Sequence, residues 1–94
     1  MEYKLVYHHE IVDDLRNIPA NVKERIRRAI EIRLLIDPVG YGLFLRKSLQ
    51  GYRKLRVGDY RIIYRVDGNQ ILILKIGHRN EVYPKALVRL NKFS

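Results

Sequence analysis

Residues 49–66 of this 94-residue chain read LQGYRKLRVGDYRIIYRV. Aromatic and β-branched residues are dense on both sides of Gly58-Asp59, which predicts two β-strands joined by a tight turn. The five cationic side chains of the stretch are Arg53, Lys54, Arg56, Arg61 and Arg65. Sheets normally mix their charges, because like charges on neighbouring strands repel each other. This concentration of positive charge therefore favours a polyanionic partner.

The positive charge is confined to the second half of the chain. Residues 1–40 contain seven Lys/Arg and seven Asp/Glu, whereas residues 41–94 contain twelve Lys/Arg and three Asp/Glu. The whole net charge of +9 therefore lies after residue 40. A neutral half beside a basic half predicts a one-sided electrostatic footprint of the kind that binds nucleic acid. A solvated basic surface without a partner is the plainer alternative.

The composition limits the class of protein. The length predicts a single domain over residues 1–94, and the 47% hydrophobic content is enough for a packed core. The chain has no cysteine and only three histidines, so we expect no disulfide, metal site or cofactor. We see no signal-peptide pattern and no apolar run of roughly 20 residues that would span a bilayer. These features predict a small cytoplasmic protein without a membrane partner.

The first half predicts one strand and two helices. Alternation over residues 3–7 indicates a strand, and apolar residues at 11, 12, 15 and 18 indicate a helix that buries those positions. A second helix is expected to begin at an Asn21 N-cap, with Glu24 closing a capping box, and to end near Leu35. Its buried face is expected to consist of Val22, Ile26, Ala29, Ile30 and Leu34. Residues 37–42 are expected to form a loop. The two helices would form an αα-hairpin that covers a sheet.

Three strands are predicted at 52–57, 60–66 and 70–77, followed by a short helix at 84–91. A three-residue loop over 67–69 would pair Val66 with Gln70. The helix-facing set would then be Tyr60, Ile62, Tyr64, Val66, Leu72, Leu74 and Ile76. The opposite face would carry Arg61, Ile63, Arg65, Ile71, Ile73, Lys75, Gly77 and Arg79. The predicted class is α+β: an N-terminal strand and an αα-hairpin on one face of a small antiparallel (mixed) sheet, with a basic face opposite.

The basic face carries the residue types that metal-independent RNA cleavage requires. A base must deprotonate the ribose 2′-hydroxyl, cations must stabilise the pentacovalent phosphorane, and an acid must protonate the leaving 5′-oxygen. The candidate cations are Lys54, Arg56, Arg61 and Arg79. His78 could act as acid or base, and Tyr83 could stack on a base. His78 could equally be a residue at the edge of the core, and Tyr83 could serve only in packing.

The region 52–64 resembles the central motif of the RelE/ParE superfamily of toxin–antitoxin toxins. Residues 77–79 and 81–83 resemble the C-terminal motif of its RelE branch. The resemblance implies a RelE-like fold and a ribosome-dependent mRNA endonuclease that leaves a cyclic phosphate and a free 5′-hydroxyl. The catalytic residues that it implies are Lys54, Arg56, Arg61, Arg79 and Tyr83, with His78 similar to the histidine of some relatives. Further RNA-binding cations are expected at Arg46, Lys47, Arg53, Arg65 and Lys75.

The resemblance also implies partners. These are the ribosome with its mRNA, and a cognate antitoxin that reaches operator DNA only as a complex with the toxin. We expect an acidic, amphipathic helical segment of the antitoxin to cover the Ile63, Ile71 and Ile73 patch and the grooves beside the helices. Two alternatives stay open: a ParE-like inhibitor of DNA gyrase, which shares the fold without cutting RNA, and a non-catalytic module that only binds antitoxin and regulates the operator.

Overall fold

The computed structural model describes residues 2–92 of the chain. The helices and strands follow in the order β1 (Lys4–Tyr7), α1 (Ile11–Arg16), α2 (Ala20–Ala29), α3 (Pro38–Tyr41), β2 (Leu43–Phe44), β3 (Arg53–Val57), β4 (Tyr60–Asp67), β5 (Gln70–His78) and α4 (Val82–Asn91). A π-helical turn, Ile30–Leu34, extends α2, and a 3₁₀ turn, Lys47–Leu49, precedes β3. Within the described residues, none of these helices combines the length and the apolar composition needed to cross a membrane.

The five strands form one sheet in the order β1-β5-β4-β3-β2. β1 runs parallel to β5, with Lys4 opposite Gln70, and the other neighbours are antiparallel. β3 and β4 meet at the predicted Gly58-Asp59 turn, where Gly58 has φ +59°, a conformation that glycine adopts without steric cost. The predicted α+β class with a mixed sheet is confirmed.

The helices α1 and α2 pack on one face of the sheet and form the first core. The predicted buried positions of the second helix are confirmed, since Ile26, Ala29, Ile30 and Leu34 lie in this core and Val22 packs at its margin. The prediction for Val12 is wrong, because its side chain is 65% exposed. A helix of six residues is less than two turns long and buries only a narrow stripe, which here runs through Ile11.

The second helix begins two positions earlier than the sequence predicts. Pro19 occupies the N-cap, and Asn21 lies within the first turn without capping it. The carboxylate of Glu24 instead bonds the guanidinium of Arg27. The predicted loop after the helix contains α3, where the Asp37 carboxylate accepts a hydrogen bond from Gly40 N at 2.9 Å. The sequence analysis also missed β2, a strand of two residues.

The hairpin between β4 and β5 has a two-residue loop, so the predicted three-residue loop is wrong. Asp67 pairs with Gln70, and Val66 pairs with Ile71. Gly68 has φ +59° at the first loop position, where a type II′ hairpin turn takes glycine. Alternation could not reveal this register, because four successive residues of β5, 71–74, are apolar and give both faces the same pattern.

A register shift in β5 then changes which residues share a face. Ile63 pairs with Lys75 whereas Tyr64 pairs with Ile73, so Leu74 is an extra residue in the ladder. A bulge of this kind lets successive residues of one strand contribute side chains to both faces of the sheet. Ile71 and Ile73 therefore join Tyr64 in the first core, while Leu74 turns to the opposite face.

The opposite face of the sheet has its own core, covered by α4. It consists of Leu49, Ile63, Leu74, Val82 and Ala86. The expected exposed isoleucine patch therefore does not exist: Ile63 lies beneath α4, and Ile71 and Ile73 lie beneath α1 and α2. All three side chains are at most 1% exposed. The antitoxin segment expected to cover this patch cannot reach it there.

A buried ion-pair network joins α1, β5 and α4. The Asp14 carboxylate accepts hydrogen bonds from Lys75 Nζ at 2.6 Å, from Arg89 at 2.7 and 2.8 Å, and from the Ile76 backbone N–H at 3.0 Å. The side chains of Asp14 and Arg89 are 1% and 8% exposed. Burial alone would raise the pKa of Asp14, but these hydrogen bonds from Arg89, Lys75 and Ile76 hold it below its ordinary value. The network fixes α4 onto the sheet.

Candidate functional site

Three cations of β3 and β4 project from the face that α4 partly covers. Leu55 and Val57 point into the first core, so alternation along β3 turns Lys54 and Arg56 to the other side. On β4, Arg61 has the same orientation and pairs directly with Arg56. Two opposed arginines repel each other and destabilise the sheet. An arrangement of this kind favours an anion that binds between them.

At the Gly58-Asp59 turn, backbone carbonyls hold the Arg61 side chain in place, and Arg79 lies beside the turn. Arg61 Nη1 donates to the carbonyls of Gly58 and Tyr60, both at 2.9 Å. The backbone N–H of Arg79 donates to Asp59 O at 2.8 Å, which continues the β4–β5 ladder beyond its last paired residues. The Arg79 side chain is exposed, with Nε 3.9 Å from Asp59 Oδ1. Arg61 is thus held by backbone acceptors, whereas Arg79 is at the rim.

Lys54 and Tyr83 meet where α4 begins. The ammonium of Lys54 lies 5.6 Å from the centroid of the Tyr83 ring, within cation–π range. Tyr83 packs at the margin of the second core, which orients its ring. The face therefore combines an aromatic ring, an ammonium and two opposed guanidinium groups.

His78 is not part of this cluster. It pairs with Tyr60 on the helix side of the sheet, and the two rings meet edge to face with centroids 5.6 Å apart. Its Nδ1 accepts a hydrogen bond from Asn80 N at 3.2 Å. The groove that it lines also contains Asp13 and Asn17 of the α1 region. The location at the core edge is the alternative that the sequence analysis left open for His78.

Two of the predicted RNA-binding cations have structural partners elsewhere. Arg53 points to the helix side, donates to Val39 O at 3.1 Å, and lies 3.7 Å from the Phe44 ring centroid. Lys75 belongs to the buried Asp14 network. The pattern of charges along the strands could not distinguish these side chains from the open ones.

The other predicted RNA-binding cations are at least partly exposed, although the Arg65 guanidinium also lies 3.9 Å from the Asp67 carboxylate. Arg65 lies on the same face as Lys54, with its guanidinium 5.7 Å from the Tyr52 ring. Arg46 and Lys47 are exposed at the start of the 3₁₀ turn before β3. Lys47 has φ +59°, a left-handed backbone conformation that is energetically unfavourable for a residue that carries a side chain. These three cations lie toward the end of the face that is remote from the Gly58 turn.

Three arginines of α2 and of the π-helical turn that extends it were not predicted as part of the cationic face. Arg25, Arg28 and Arg33 line a groove of about 740 Å³ together with Lys54, Arg56 and Arg61. The zero charge sum of the first half concealed them. Glu24 and Glu31 both bond Arg27 on the outer side of the helix, and Glu24 also lies 3.4 Å from Arg28 Nε. Counting charges by helix face instead of by segment would have revealed this basic wall.

Among the described residues, one group has the side chains to hold a metal ion. Ligand atoms of His8, His9 and Glu10 lie within 4.8 Å of one another. The Glu10 carboxylate already accepts a hydrogen bond from Lys92 Nζ at 3.3 Å and lies 3.7 Å from Arg89 Nε. The group lies at the start of α1, away from the cationic face. It therefore takes no part in the chemistry considered below.

The fold and the cationic face together define a small toxin of the type II toxin–antitoxin class. The family model described as "ParE toxin of type II toxin-antitoxin system, parDE" matches residues 5–83. The chain therefore belongs to the RelE/ParE superfamily of these toxins, as the sequence motifs predicted.

Two proteins named as toxins, RelE3 and RelG, resemble the chain over most of its length. Toxin RelE3 of Methanocaldococcus jannaschii is 29% identical over 83 residues, which are 85% of this chain and 94% of that protein. Toxin RelG of Mycobacterium tuberculosis is 31% identical over 72 residues, 74% of this chain and 83% of that protein. The RelBE2 toxin–antitoxin complex of M. tuberculosis contains a similar fold, with a TM-score of 0.77 and 27% identity, covering 84% of this chain and 100% of the matched chain.

Proposed function

We propose that this toxin is a ribosome-dependent mRNA endoribonuclease that a cognate antitoxin holds inactive. The single observation that carries the proposal is the directly opposed Arg56–Arg61 pair, with Lys54 and Tyr83 beside it on one face. Opposed guanidinium groups provide a place for a phosphate, which removes their mutual repulsion. The names of its relatives, which are RelE-type toxins, support the same activity.

The proposed reaction is an intramolecular transesterification. The ribose 2′-oxygen attacks the adjacent phosphorus, a 2′-O–P bond forms and the P–5′-O bond breaks. The products are a 2′,3′-cyclic phosphate and a free 5′-hydroxyl. One proton leaves the 2′-hydroxyl and one reaches the departing 5′-oxygen, so no water or external reactant is consumed. The extra negative charge of the phosphorane is what fixed cations would stabilise.

Roles follow from where each side chain lies. Arg61, held by two backbone carbonyls, suits stabilisation of the phosphorane because a preorganised donor needs no rearrangement during the reaction. Arg56 and Arg79 would hold the same phosphate from its sides. Lys54 and Tyr83 are the titratable groups of this cluster and would handle the two protons. The Tyr83 ring also offers a surface on which a base can stack.

Binding would extend along the same face. Arg65, Arg46 and Lys47 would neutralise phosphates of the ribosomal and messenger RNA backbone. Arg53 and Lys75 are left out of this set, since both are engaged with other parts of the chain. The site of action would be the cytoplasm, where translation takes place.

An antitoxin is proposed as the protein partner, because the similar toxin fold of M. tuberculosis was solved as a toxin–antitoxin complex. The net charge of +9 favours an acidic antitoxin. Association with such a partner should slow as salt is added, because screening weakens electrostatic steering.

The matching family model is that of ParE toxins, so inhibition of DNA gyrase is the second candidate function. One experiment separates the two. The purified toxin is added to a ribosomal complex with a defined mRNA, and in parallel to gyrase with supercoiled plasmid. The proposal expects new mRNA 5′ ends within the A-site codon, only when ribosomes are present, and an unaffected gyrase. Intact mRNA together with gyrase-linked DNA breaks would refute it.

A further inference from the structure

The turn between β1 and α1 brings two imidazoles and a carboxylate together. Ligand atoms of His8, His9 and Glu10, the His8–Glu10 group, all lie within 4.8 Å of one another. The two imidazole rings are stacked with centroids 4.4 Å apart, and His8 Nδ1 lies 4.0 Å from Glu10 Oε2. Donor atoms of a tetrahedral zinc site are roughly 3.4 Å apart, because each lies about 2.1 Å from the metal. Small side-chain rotations would therefore supply three ligands of such a site.

The imidazole of His8 has the chemical character of a metal ligand. Its Nδ1 accepts a hydrogen bond from the Glu10 backbone N–H at 3.1 Å, so this nitrogen carries a lone pair and faces Glu10. Burial and, after it, the charge of Arg89 lower the pKa of His8, so the ring is neutral at pH 7, the form that binds metals. A metal ion at Nδ1 would replace the hydrogen bond from Glu10.

The donor set selects the class of metal. Two imidazole nitrogens and one carboxylate oxygen suit zinc and the neighbouring first-row metals, whereas Mg²⁺ and Ca²⁺ prefer oxygen ligands alone. The two histidines also line a groove of about 590 Å³, whose apolar floor includes Ile26 and Ile30. An apolar surrounding of this kind limits the access of solvent to a bound ion.

Two cations at the end of α4 already share the Glu10 carboxylate. Lys92, the C-cap residue of α4, donates to Glu10 Oε1 at 3.3 Å. Arg89 Nε lies 3.7 Å from Oε2, the oxygen that also faces His8. A metal ion at Oε2 would repel both cations. The metal and the end of α4 therefore have opposite requirements for the same carboxylate.

We infer that the His8–Glu10 group is a binding site for a divalent metal ion of the zinc class, and that the ion competes with the end of α4 for the Glu10 carboxylate. Water would fill the remaining coordination positions. The competition is reciprocal: a bound ion would loosen the last turn of α4, and a tightly held α4 would weaken the site. The sequence analysis expected no metal site, because it counted only three histidines and did not place Glu10 beside two of them.

The inference is independent of the proposed function. The group lies away from the cationic face, so a metal ion there would take no part in the proposed cleavage. It could affect that face only through α4, the helix that carries Tyr83.

The test uses the full chain and Zn²⁺ alone, added as its chloride and followed by isothermal titration calorimetry at pH 7. We expect one ion to bind per chain, and Mg²⁺ at the same concentration not to displace it. In NMR spectra of the labelled protein, amide signals of residues 8–10 and of the last turn of α4 should shift, while those of β3 should stay in place.

His9→Ala tests the ligands. It should weaken zinc binding by about tenfold or more, because losing a ligand costs at least as much as losing a contact that supports one. The His9 side chain is exposed, so its replacement should leave the fold intact, which circular dichroism checks. His78→Ala removes a histidine outside the group and should leave the affinity near that of the wild type.

Lys92→Gln tests the competition. It removes one of the cations that hold Glu10, and should strengthen zinc binding about two- to fivefold relative to its control, the range expected of an exposed ion pair. The control is Lys85→Gln, which removes the same charge from α4 at a position where Lys85 pairs with Glu81 at 3.3 Å. The comparison therefore corrects for the change in net charge.

Four results would overturn the inference. The first is the absence of zinc binding, and the second is displacement of zinc by Mg²⁺. The third is an equal loss for His9→Ala and His78→Ala, which would indicate adventitious binding by any surface histidine. The fourth is a Lys92→Gln variant that binds zinc no better than Lys85→Gln. Cleavage of mRNA by a toxin that fails these tests would leave the proposed function intact, and zinc binding by a toxin that does not cleave would leave the inference intact.

Discussion

Replacing Asp14 by Asn should destabilise the protein severely while its neighbour Asp13 tolerates the same change. Asp14 is 1% exposed and accepts four hydrogen bonds, three of them from the cationic side chains of Lys75 and Arg89. Removing one partner of a buried ion pair costs about 3–5 kcal/mol, because it leaves a charge buried without compensation. We take about 3 kcal/mol, since Asn keeps one accepting oxygen. For a domain of this size that loss lowers Tm by roughly 12–24 °C.

The assay is urea unfolding followed by far-UV circular dichroism at pH 7, with Asp13→Asn as the control. Asp13 pairs with Arg16 at 3.1 Å, but both side chains are more than half exposed, so its replacement should change stability by at most about 0.5 kcal/mol. The pH dependence gives a second check. Because the pKa of Asp14 is lowered in the folded state, its contribution is complete above the ordinary value of 3.8 and is lost as the pH falls through the folded pKa. The difference in the free energy of unfolding between the wild type and Asp14→Asn should therefore persist from pH 7 to pH 5 and disappear in stronger acid. A gap below about 1 kcal/mol at pH 7, or one independent of pH, would refute this account of the network.

Three further predictions concern the cationic face and its surroundings. Arg61→Ala should lower single-turnover mRNA cleavage by about 10²-fold or more while ribosome binding, measured by sedimentation, falls only slightly; equal losses would contradict a role in stabilising the phosphorane. Lys47→Gly should raise the free energy of unfolding by about 0.5–1 kcal/mol, because glycine adopts φ +59° without strain, and a decrease in urea titrations would contradict the strain. His78→Ala should lower the stability by about 1 kcal/mol, because the contact with the Tyr60 ring is lost, but the variant should cleave at a normal rate. A loss of cleavage without a loss of stability would instead indicate that His78 acts as an acid or base.

The sequence predicted those parts of the fold in which local chemistry decides the structure. The Gly58 turn, the two strands around it and the buried stripe of α2 depend on neighbouring residues, and all three were predicted correctly. The β4–β5 register was not, because the apolar run of β5 suits either face and the bulge at Leu74 is set by packing against two cores. Local sequence patterns cannot distinguish between the possible registers of these two strands.

The candidate site was predictable in its cations but not in their surroundings. Lys54, Arg56 and Arg61 were predicted as candidate cations of one basic face, and in the structure all three lie on the same side of the sheet. Whether a given cation is open or engaged depends on partners far away in the chain: Lys75 and Asp14 are 61 residues apart. His78 shares the strand parity of Ile76 and lies with Tyr60 on the helix side of the sheet, which is the core-edge position that the sequence left open.

The parallel pairing of β1 with β5 has a consequence for synthesis of the chain. The first strand, residues 4–7, has no strand to pair with until residues 70–73 have been made. Asp14 likewise gains its hydrogen-bond donor Arg89 only 75 residues later. Contacts between such distant segments form late, because a long loop must close before they bring any gain. A nascent chain that stops before α4 lacks both Tyr83 and the Arg89 guanidinium that completes the network. The fold, and any activity that depends on it, is complete only after α4 has been made.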